Sequence, residues 1–249
     1  MNLKLIIEQA DAYERTLPDF PGGLEVKGKP IAGFLDSTLL KPEATLSQVK
    51  ELCDNAREYK FAAVCINPIF VTKVQRFLKG SEVKNCTVIG FPLGSIPTSF
   101  KVDETEQLVK EGAEEVDMVI PIGMLKAGAY EYVYSEIARI TAMAHNHNAH
   151  CKVILEMGLL STKEKIIGCL LSRAAEADFV KTSTGMIAGG ATVEDVRLMR
   201  CVVGPEMGVK AAGGIRSLAE ARAMLSNGAT RLGTSSAVKI FTEATQDGG

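Results

Sequence analysis

Short apolar runs alternate with amphipathic helical stretches along most of the chain. The runs predict eight buried strands, at residues 31–35, 62–66, 86–89, 115–120, 151–155, 177–180, 208–209 and 229–232. Apolar residues recur at helical spacing between them, for example at 46–59, 103–112, 163–176, 192–203 and 218–228. Gly112 and Gly228 follow two of these stretches, where glycine is typical of a helix end. Strands that alternate with helices predict a parallel sheet covered by helices.

Eight such repeats in 249 residues predict a closed (β/α)8 barrel of the TIM type rather than an open sheet. Residues 1–30 form an extra N-terminal helix and a lead-in to the first strand. No linker, low-complexity tract or change in composition divides the chain. We therefore predict one domain, residues 1–249.

The composition is that of an ordinary soluble protein, with 46% hydrophobic residues and a formal net charge of −2. This balance gives no reason to expect nucleic acid or a membrane as a partner. The amino terminus carries acidic residues early and has no signal-peptide pattern. None of the six cysteines forms a CxxC pair, which is typical of reduced thiols. We predict a cytoplasmic protein.

A lysine ends one of the apolar runs, in the stretch ADFVKTSTG at 177–185. Taken alone, Lys181 reads as a side chain that extends from a strand end to solvent. In a barrel, however, the active site lies where strands end. Polar or reactive residues stand at the predicted ends of other strands as well: Asp36, Cys65, Asp117, Glu156 and Lys210. Their shared position favours a common pocket with catalytic chemistry.

Lys181 and Lys210 are expected to lie side by side, because neighbouring strands are about 4.8 Å apart. A like charge and partial burial both lower the pKa of a lysine, and a neutral amine attacks a carbonyl to form a Schiff base. Asp117 is placed to transfer protons. The alternative is that Lys210 and Asp117 form an ion pair without a catalytic role.

Three late turns combine glycine with hydroxyl residues: TSTG at 182–185, AAGGIR at 211–216 and GTSS at 233–236. Backbone N–H groups in such turns bind phosphate, and barrels often hold a phosphate in their last loops. Arg216 would add a positive charge. The alternative is that glycine and serine only build tight turns here.

Other chemistries are less well supported by the residues. His145, His147 and His150 precede a strand and so fall at the stability face of a barrel, without acids or cysteines at ligand spacing. Cys65 has no nearby histidine to activate it, and we interpret it as lining the pocket. The glycines do not form a dinucleotide-binding GxGxxG motif. We predict neither a metal nor an organic cofactor.

The motifs FVKTSTG, VKAAGGIR, EVDMVI and LDSTLLKP resemble those of the class I deoxyribose-phosphate aldolases, over about residues 35–236. The resemblance implies Lys181 as the Schiff-base nucleophile, Lys210 as the residue that lowers its pKa, and Asp117 as the proton relay. It implies reversible cleavage of 2-deoxy-D-ribose 5-phosphate to acetaldehyde and glyceraldehyde 3-phosphate, and a possible homodimer. The expected substrate-binding residues are Asp36, Thr38, Cys65, Thr184, Gly185, Gly213, Gly214, Arg216, Gly233, Ser235 and Ser236.

The sequence departs from this family at a few positions. Met186 stands where some members have a lysine, Ser37 where many have histidine, and Pro121 where many have asparagine. The family's VILET becomes VILEM, ending on Met157. None of these changes touches the two lysines or Asp117. The alternatives are a Schiff-base aldolase for another phosphorylated sugar, or a barrel that binds a sugar phosphate without catalysis.

Overall fold

Eight parallel strands close into a barrel in sequence order in the computed structural model, which describes residues 2–23, 31–187 and 189–247. The strands are β1 Leu35–Leu39, β2 Ala63–Ile66, β3 Lys84–Ile89, β4 Glu115–Val119, β5 His150–Ile154, β6 Phe179–Lys181, β7 Gly208–Ala212 and β8 Arg231–Thr234. Each strand pairs with the next, and β8 closes the barrel against β1. The predicted (β/α)8 fold is confirmed.

Helices surround the barrel. They are α1 Leu3–Arg15, α2 Leu46–Tyr59, α3 Val71–Phe77, α4 Thr98–Lys110, α5 Ile122–Lys126, α6 Tyr130–His145, α7 Thr162–Ala174, α8 Val193–Val203, α9 Leu218–Ser226 and α10 Ala237–Asp247. Capping boxes begin α2, α7 and α9, where a Thr or Ser side chain and a Gln or Glu three residues later satisfy free N–H groups. The described part of the chain contains no helix both long and apolar enough to span a bilayer.

The predicted N-terminal helix corresponds to α1, which packs outside the barrel against α7. Asp11 of α1 forms an ion pair with Lys163 at the start of α7. Residue 1 and residues 24–30 of the predicted lead-in lie outside the described residues. The assignment of the whole chain to one domain stays a prediction.

The apolar core lies mainly between the strands and the helices, whereas the space inside the barrel holds charged groups. A small apolar cluster inside the barrel joins Leu40, Ala63, Cys65, Cys86 and Val88. Next to it, the fully buried side chains of inward-facing residues carry charge. A barrel interior is usually filled by layers of branched apolar residues, so this charge marks a site.

Several predicted strand bounds were wrong. Residues 31–34 form a 3-10 turn, and β1 begins only at Leu35. The strand β7 continues through Lys210 to Ala212. Asp36, Asp117 and Lys210 therefore lie inside strands and not at their ends. They were misplaced because inward-facing charges that neutralise one another look, in the sequence, like the polar residues of a turn.

Candidate active site

Lys181 and Lys210 lie side by side, as their Cα atoms are partners in the register of β6 and β7. Both side chains reach inward to the same atom. Lys181 Nζ and Lys210 Nζ each lie 2.7 Å from Asp117 Oδ2, which accepts a hydrogen bond from both. The structure thus brings together the three residues predicted to be catalytic, in a buried environment.

A closed ring of ion pairs fills the barrel beneath Lys181. Three carboxylates and three cations form it, and each cation bridges two carboxylates with N–O distances of 2.6–2.9 Å. We call it the ion-pair ring, which consists of Asp36, Glu115, Asp117, Lys152, Lys210 and Arg231. Three negative and three positive groups balance, so the ring carries no net charge.

The ring keeps its members ionised in spite of burial. Burial acts to raise the pKa of Asp117, but the neighbouring lysines outweigh it and hold that pKa well below its usual value. Burial likewise acts to lower the pKa of Lys210, but Asp117 and Asp36 raise it above the ordinary lysine value. Against burial, Arg231 and Lys210 bring the pKa of Asp36 down to about 2. Lys210 is therefore a stable ammonium ion.

Lys181 stands outside this balance. Its one carboxylate partner among the described residues is Asp117, whereas Lys152 and Lys210 each have two. A proton on Lys181 adds one uncompensated positive charge to a neutral buried ring. The ring is therefore complete without Lys181, whose amine lines the cavity.

A cavity of about 360 Å³ opens above Lys181. The predicted site residues that line it are Thr38, Lys181, Thr184, Gly185, Gly213, Gly214, Arg216, Gly233 and Ser235. Asp36 and Cys65 are fully buried below it, and Ser236 lies beside it at the start of α10. Substrate contact stays a prediction for all of these residues.

Backbone geometry accounts for the glycines of the last loops. Gly213 has φ 93° and Gly214 has φ 85°, a left-handed conformation that L side chains rarely adopt. Gly233 is needed for a different reason. A Cβ there would lie 3.2 Å from Lys210 Cε and 3.0 Å from Ala212 Cβ, so a larger residue would press on the lysine.

Glu156 fixes the TSTG loop. It follows β5 in a left-handed conformation with φ 47°, and its Oε2 accepts hydrogen bonds from the backbone N–H and the hydroxyl of Thr184. The Thr184 hydroxyl in turn accepts a bond from the N–H of Met186. The acid at the end of the fifth predicted strand thus shapes a wall of the cavity.

Four charged residues of the site were not predicted: Lys41, Glu115, Lys152 and Arg231. Lys152 had a signal in the sequence, since it is a lysine within the apolar run 151–155. Glu115 and Arg231 lie within the predicted strands 115–120 and 229–232, but neither was singled out. Lys41 and Met186 both line the cavity. Lys41 can therefore supply a positive charge there.

The three histidines lie at the other end of the barrel. His145 ends α6, and its Nε2 is 2.9 Å from Asp178, which also accepts the N–H of Cys151 at the start of β5. A groove of about 780 Å³ near that end, lined by residues such as Arg57 and Glu82, contains none of the predicted site residues.

Comparisons with known proteins identify the family of the chain. The model of the DeoC/LacD family aldolases matches residues 25–242. The chain is 53% identical to a deoxyribose-phosphate aldolase of Caldanaerobacter subterraneus subsp. tengcongensis over 88% of this chain and 95% of that one. It is 54% identical to the Thermococcus kodakarensis deoxyribose-phosphate aldolase over 85% of this chain and 96% of the relative.

Among solved structures, the tetrameric deoxyribose phosphate aldolase from Aeropyrum pernix superposes with a TM-score of 0.82. It is 35% identical to this chain, and the match covers 98% of this chain and 99% of the other. The family model and these relatives span nearly all of the barrel, including the lysines and the ion-pair ring. The chain belongs to the DeoC/LacD family of aldolases.

Proposed function

We propose that the protein reversibly cleaves 2-deoxy-D-ribose 5-phosphate to acetaldehyde and D-glyceraldehyde 3-phosphate through a Schiff base on Lys181. The observation that carries the proposal is the position of Lys181 between the cavity and the neutral ion-pair ring. Lys181 lines the cavity, and Asp117 is its carboxylate partner among the described residues. The ring is neutral without Lys181.

The reaction follows from this amine. Neutral Lys181 attacks the aldehyde carbon of the open-chain sugar, and loss of water gives an iminium ion. The C3 hydroxyl group gives up its proton and the C2–C3 bond breaks, with the electron pair moving to the iminium. This step releases glyceraldehyde 3-phosphate and leaves an enamine. Protonation at C2 and hydrolysis then release acetaldehyde and restore the amine. Because the iminium is the electron sink, the reaction requires neither a metal nor an organic cofactor.

Asp117 and Lys210 handle protons beside the amine. Asp117 Oδ2 contacts both lysines, and its lowered pKa keeps it an acceptor at neutral pH. Lys210 remains an ammonium ion that competes for the same oxygen atom. A proton that leaves Lys181, or returns to the intermediate, therefore has an acceptor and a donor within hydrogen-bond distance.

The last loops hold the phosphate group in this proposal. Gly213, Gly214 and Ser235 line the cavity, and the exposed Arg216 lies beside them. The loop at 233–236 leads directly into α10, so a phosphate there faces the positive end of a helix dipole. Lys41 adds a second cation at the rim where the lysine after TSTG is replaced by Met186.

The predicted homodimer and the cytoplasmic location remain proposals for this chain. A tetramer is described for the relative from Aeropyrum pernix. The barrel of this single chain contains both lysines, the ion-pair ring and the cavity.

A turnover assay tests the proposed function. Release of glyceraldehyde 3-phosphate from deoxyribose 5-phosphate is followed with the wild-type protein, with Lys181→Met and with Lys50→Met as a control at an exposed lysine. We expect activity in the wild type and the control, and loss of turnover in Lys181→Met. A folded wild-type protein without turnover would contradict the proposal.

A further inference from the structure

Two buried thiols lie against the catalytic carboxylate. Cys65 on β2 and Cys86 on β3 are Cα partners in adjacent strands, and both side chains are fully buried. Their sulfur atoms and a carboxylate oxygen of Asp117 all lie within 4.8 Å of one another. Cys86 Sγ donates to Asp117 Oδ1 at 3.2 Å. The proposed aldolase reaction uses neither thiol.

We propose that Cys65 and Cys86 are a modification site, at which a peroxide closes a reversible disulfide that switches the active site off. Adjacent strands are about 4.8 Å apart, within the range of Cα separations that a disulfide bridges. The two sulfur atoms already lie within 4.8 Å of each other, so a limited movement brings them together. Thiol–disulfide exchange with an added dithiol would restore the two thiols.

The surroundings assign different roles to the two thiols. The contact with Cys86 lowers the pKa of the Cys65 thiol, in spite of burial. Burial, followed by the contact with Cys65, raises the pKa of Cys86 well above its usual value. Cys65 is therefore the thiol that loses its proton and reacts first, and Cys86 is the resolving thiol. Cys65 is also near the entrance, because its partner on β1, Thr38, lines the cavity.

The chemistry balances with one peroxide, ROOH. The Cys65 thiolate attacks one oxygen and breaks the O–O bond, which gives a sulfenic acid and, with one proton, ROH. The Cys86 sulfur then displaces the sulfenic hydroxyl group, which leaves as water with the proton of Cys86. Two thiols lose two electrons in total, and the peroxide gains them.

The consequence for the active site follows from the contacts of Cys86. Closing the disulfide removes the S–H that donates to Asp117 Oδ1 and moves the sulfur away from Lys152 Nζ, which lies 3.4 Å from it. Asp117 then loses one of the contacts that aim its second oxygen, Oδ2, at Lys181. Oxidation is thus expected to lower turnover without unfolding the barrel.

Cys65, Cys86 and Asp117 also offer three ligand atoms for a metal ion, but Lys152 disfavours one. Its ammonium group lies 2.9 Å from Asp117 Oδ1, where a bound cation would have to displace it. A disulfide is neutral and needs no ligand from Asp117. The positive charge of Lys152 therefore favours oxidation over metal binding.

The test combines peptide mapping with activity. The wild-type protein is treated with hydrogen peroxide, the remaining thiols are alkylated after denaturation, and tryptic peptides are analysed without reduction. Trypsin separates the two cysteines because Lys73, Lys79 and Lys84 lie between them. We expect a linked Cys65–Cys86 peptide. Turnover should fall about tenfold, as for a lost hydrogen bond to a charged group, and recover with dithiothreitol.

Two variants provide matched comparisons. Cys201→Ser removes the most exposed of the six cysteines, at 7% exposure, and should stay as sensitive to peroxide as the wild type. Cys86→Ala, compared with its own untreated activity, should lose the reversible inhibition. Full alkylation of Cys65 and Cys86 after inactivation would overturn the proposal, as would a linked peptide with unchanged turnover. The mapping needs no turnover and no variant, so it is independent of the proposed aldolase reaction.

Discussion

The reactive lysine is set apart from its neighbours by the number of its partners. From the sequence, the positive charge of Lys210 and partial burial were expected to depress the pKa of Lys181. In the structure that charge is compensated by Asp36 and Asp117, which raise the pKa of Lys210 itself. Lys210 acts on Lys181 by occupying the same carboxylate oxygen. The ring is neutral without Lys181, so Lys181 differs from Lys210 in having one carboxylate partner and not two.

At the same scale, Ser235→Asp separates phosphate recognition from catalysis. The substitution places a negative charge at the cavity wall next to the proposed phosphate site. We expect kcat/KM for deoxyribose 5-phosphate to fall roughly ten- to a thousandfold, since hydrogen bonds to a charged group are lost and repulsion is added. Cleavage of unphosphorylated deoxyribose should hardly change. Steady-state kinetics with both substrates checks this.

Ser226→Asp is the control for this prediction. It introduces the same charge at an exposed residue that ends α9, away from the cavity lining. Both substrates should be cleaved at nearly the wild-type rate. If Ser235→Asp lowered kcat/KM equally for both sugars, the GTSS loop would have a structural role and the phosphate site would lie elsewhere.

Among the elements, β4 carries Asp117 and is fixed at its end by a buried ion pair. Lys101 of α4 donates to the carbonyl oxygen of Val119, the last residue of β4, and pairs with Glu136 of α6. Both charged side chains are fully buried. Burial lowers the pKa of Lys101, although Glu136 counteracts this. The pair therefore locks two helices to the strand that holds the proton relay.

Lys101→Met should destabilise the protein strongly, because it leaves Glu136 as an unpaired buried charge. We expect the free energy of unfolding to fall by about 3–5 kcal/mol. Lys110→Met on the same helix removes a pair whose side chains are 56% and 40% exposed, and should cost no more than about 1 kcal/mol. Urea denaturation measures both. Equal losses in the two variants would argue against a special role of the buried pair.

The elements also show how far the sequence predicts this protein. The helix 46–59 was predicted with its true bounds, because its apolar positions follow the helical period and Thr45 caps it. The strand at 31–35 was displaced, because Asp36 and Ser37 look like turn residues although both are buried inside β1. Local sequence patterns show the spacing of apolar residues and the positions of turn-forming residues. They do not show that charges from distant strands neutralise one another inside a barrel.

The same limit applies to the site. Lys181 was found because a lysine ends an apolar run just before a glycine-containing turn, which is a local contrast. Glu115 and Arg231 are separated by 116 residues, and their role exists only once β4 and β8 face the same interior. Recognition of the family motifs supplied the reaction, but the closed ring became visible only in three dimensions.

On the scale of the whole molecule, the ion-pair ring connects strands from all around the barrel. Its members lie on β1, β4, β5, β7 and β8. Protonation of one carboxylate therefore weakens contacts between several strands at once. The ring should make the stability of the whole fold depend on pH in the acid range.

The sign of this dependence follows from Asp36. Its pKa is about 2 in the folded protein, below the ordinary aspartate value of 3.8, so its ionised form favours folding. This contribution, on the order of 2 kcal/mol, is fully present above about pH 5 and is lost as the pH falls toward 2. The lowered pKa of Asp117 acts in the same direction. Urea denaturation between pH 6 and 3 should show stability decreasing with acid.

Asp36→Asn tests the contribution of Asp36 to acid stability. The comparison uses the slope of the free energy of unfolding against pH and not the absolute free energy. The slope below about pH 4 should be smaller in this variant than in the wild type. Asp54→Asn, at an exposed ion pair on α2, should keep the wild-type slope. Parallel curves for wild type and Asp36→Asn would show that the ring does not control acid stability.

The central claim is that Lys181, and neither Lys210 nor Lys152, forms the Schiff base, and trapping with borohydride tests it most directly. The protein is incubated with acetaldehyde, reduced, digested and analysed by peptide mass mapping. Only an imine is reduced to a stable secondary amine, so the modified lysine is the nucleophile. We predict one ethyl group on Lys181, and none on that peptide in Lys181→Met. An adduct on Lys210 or Lys152 in the wild-type protein would contradict the assignment.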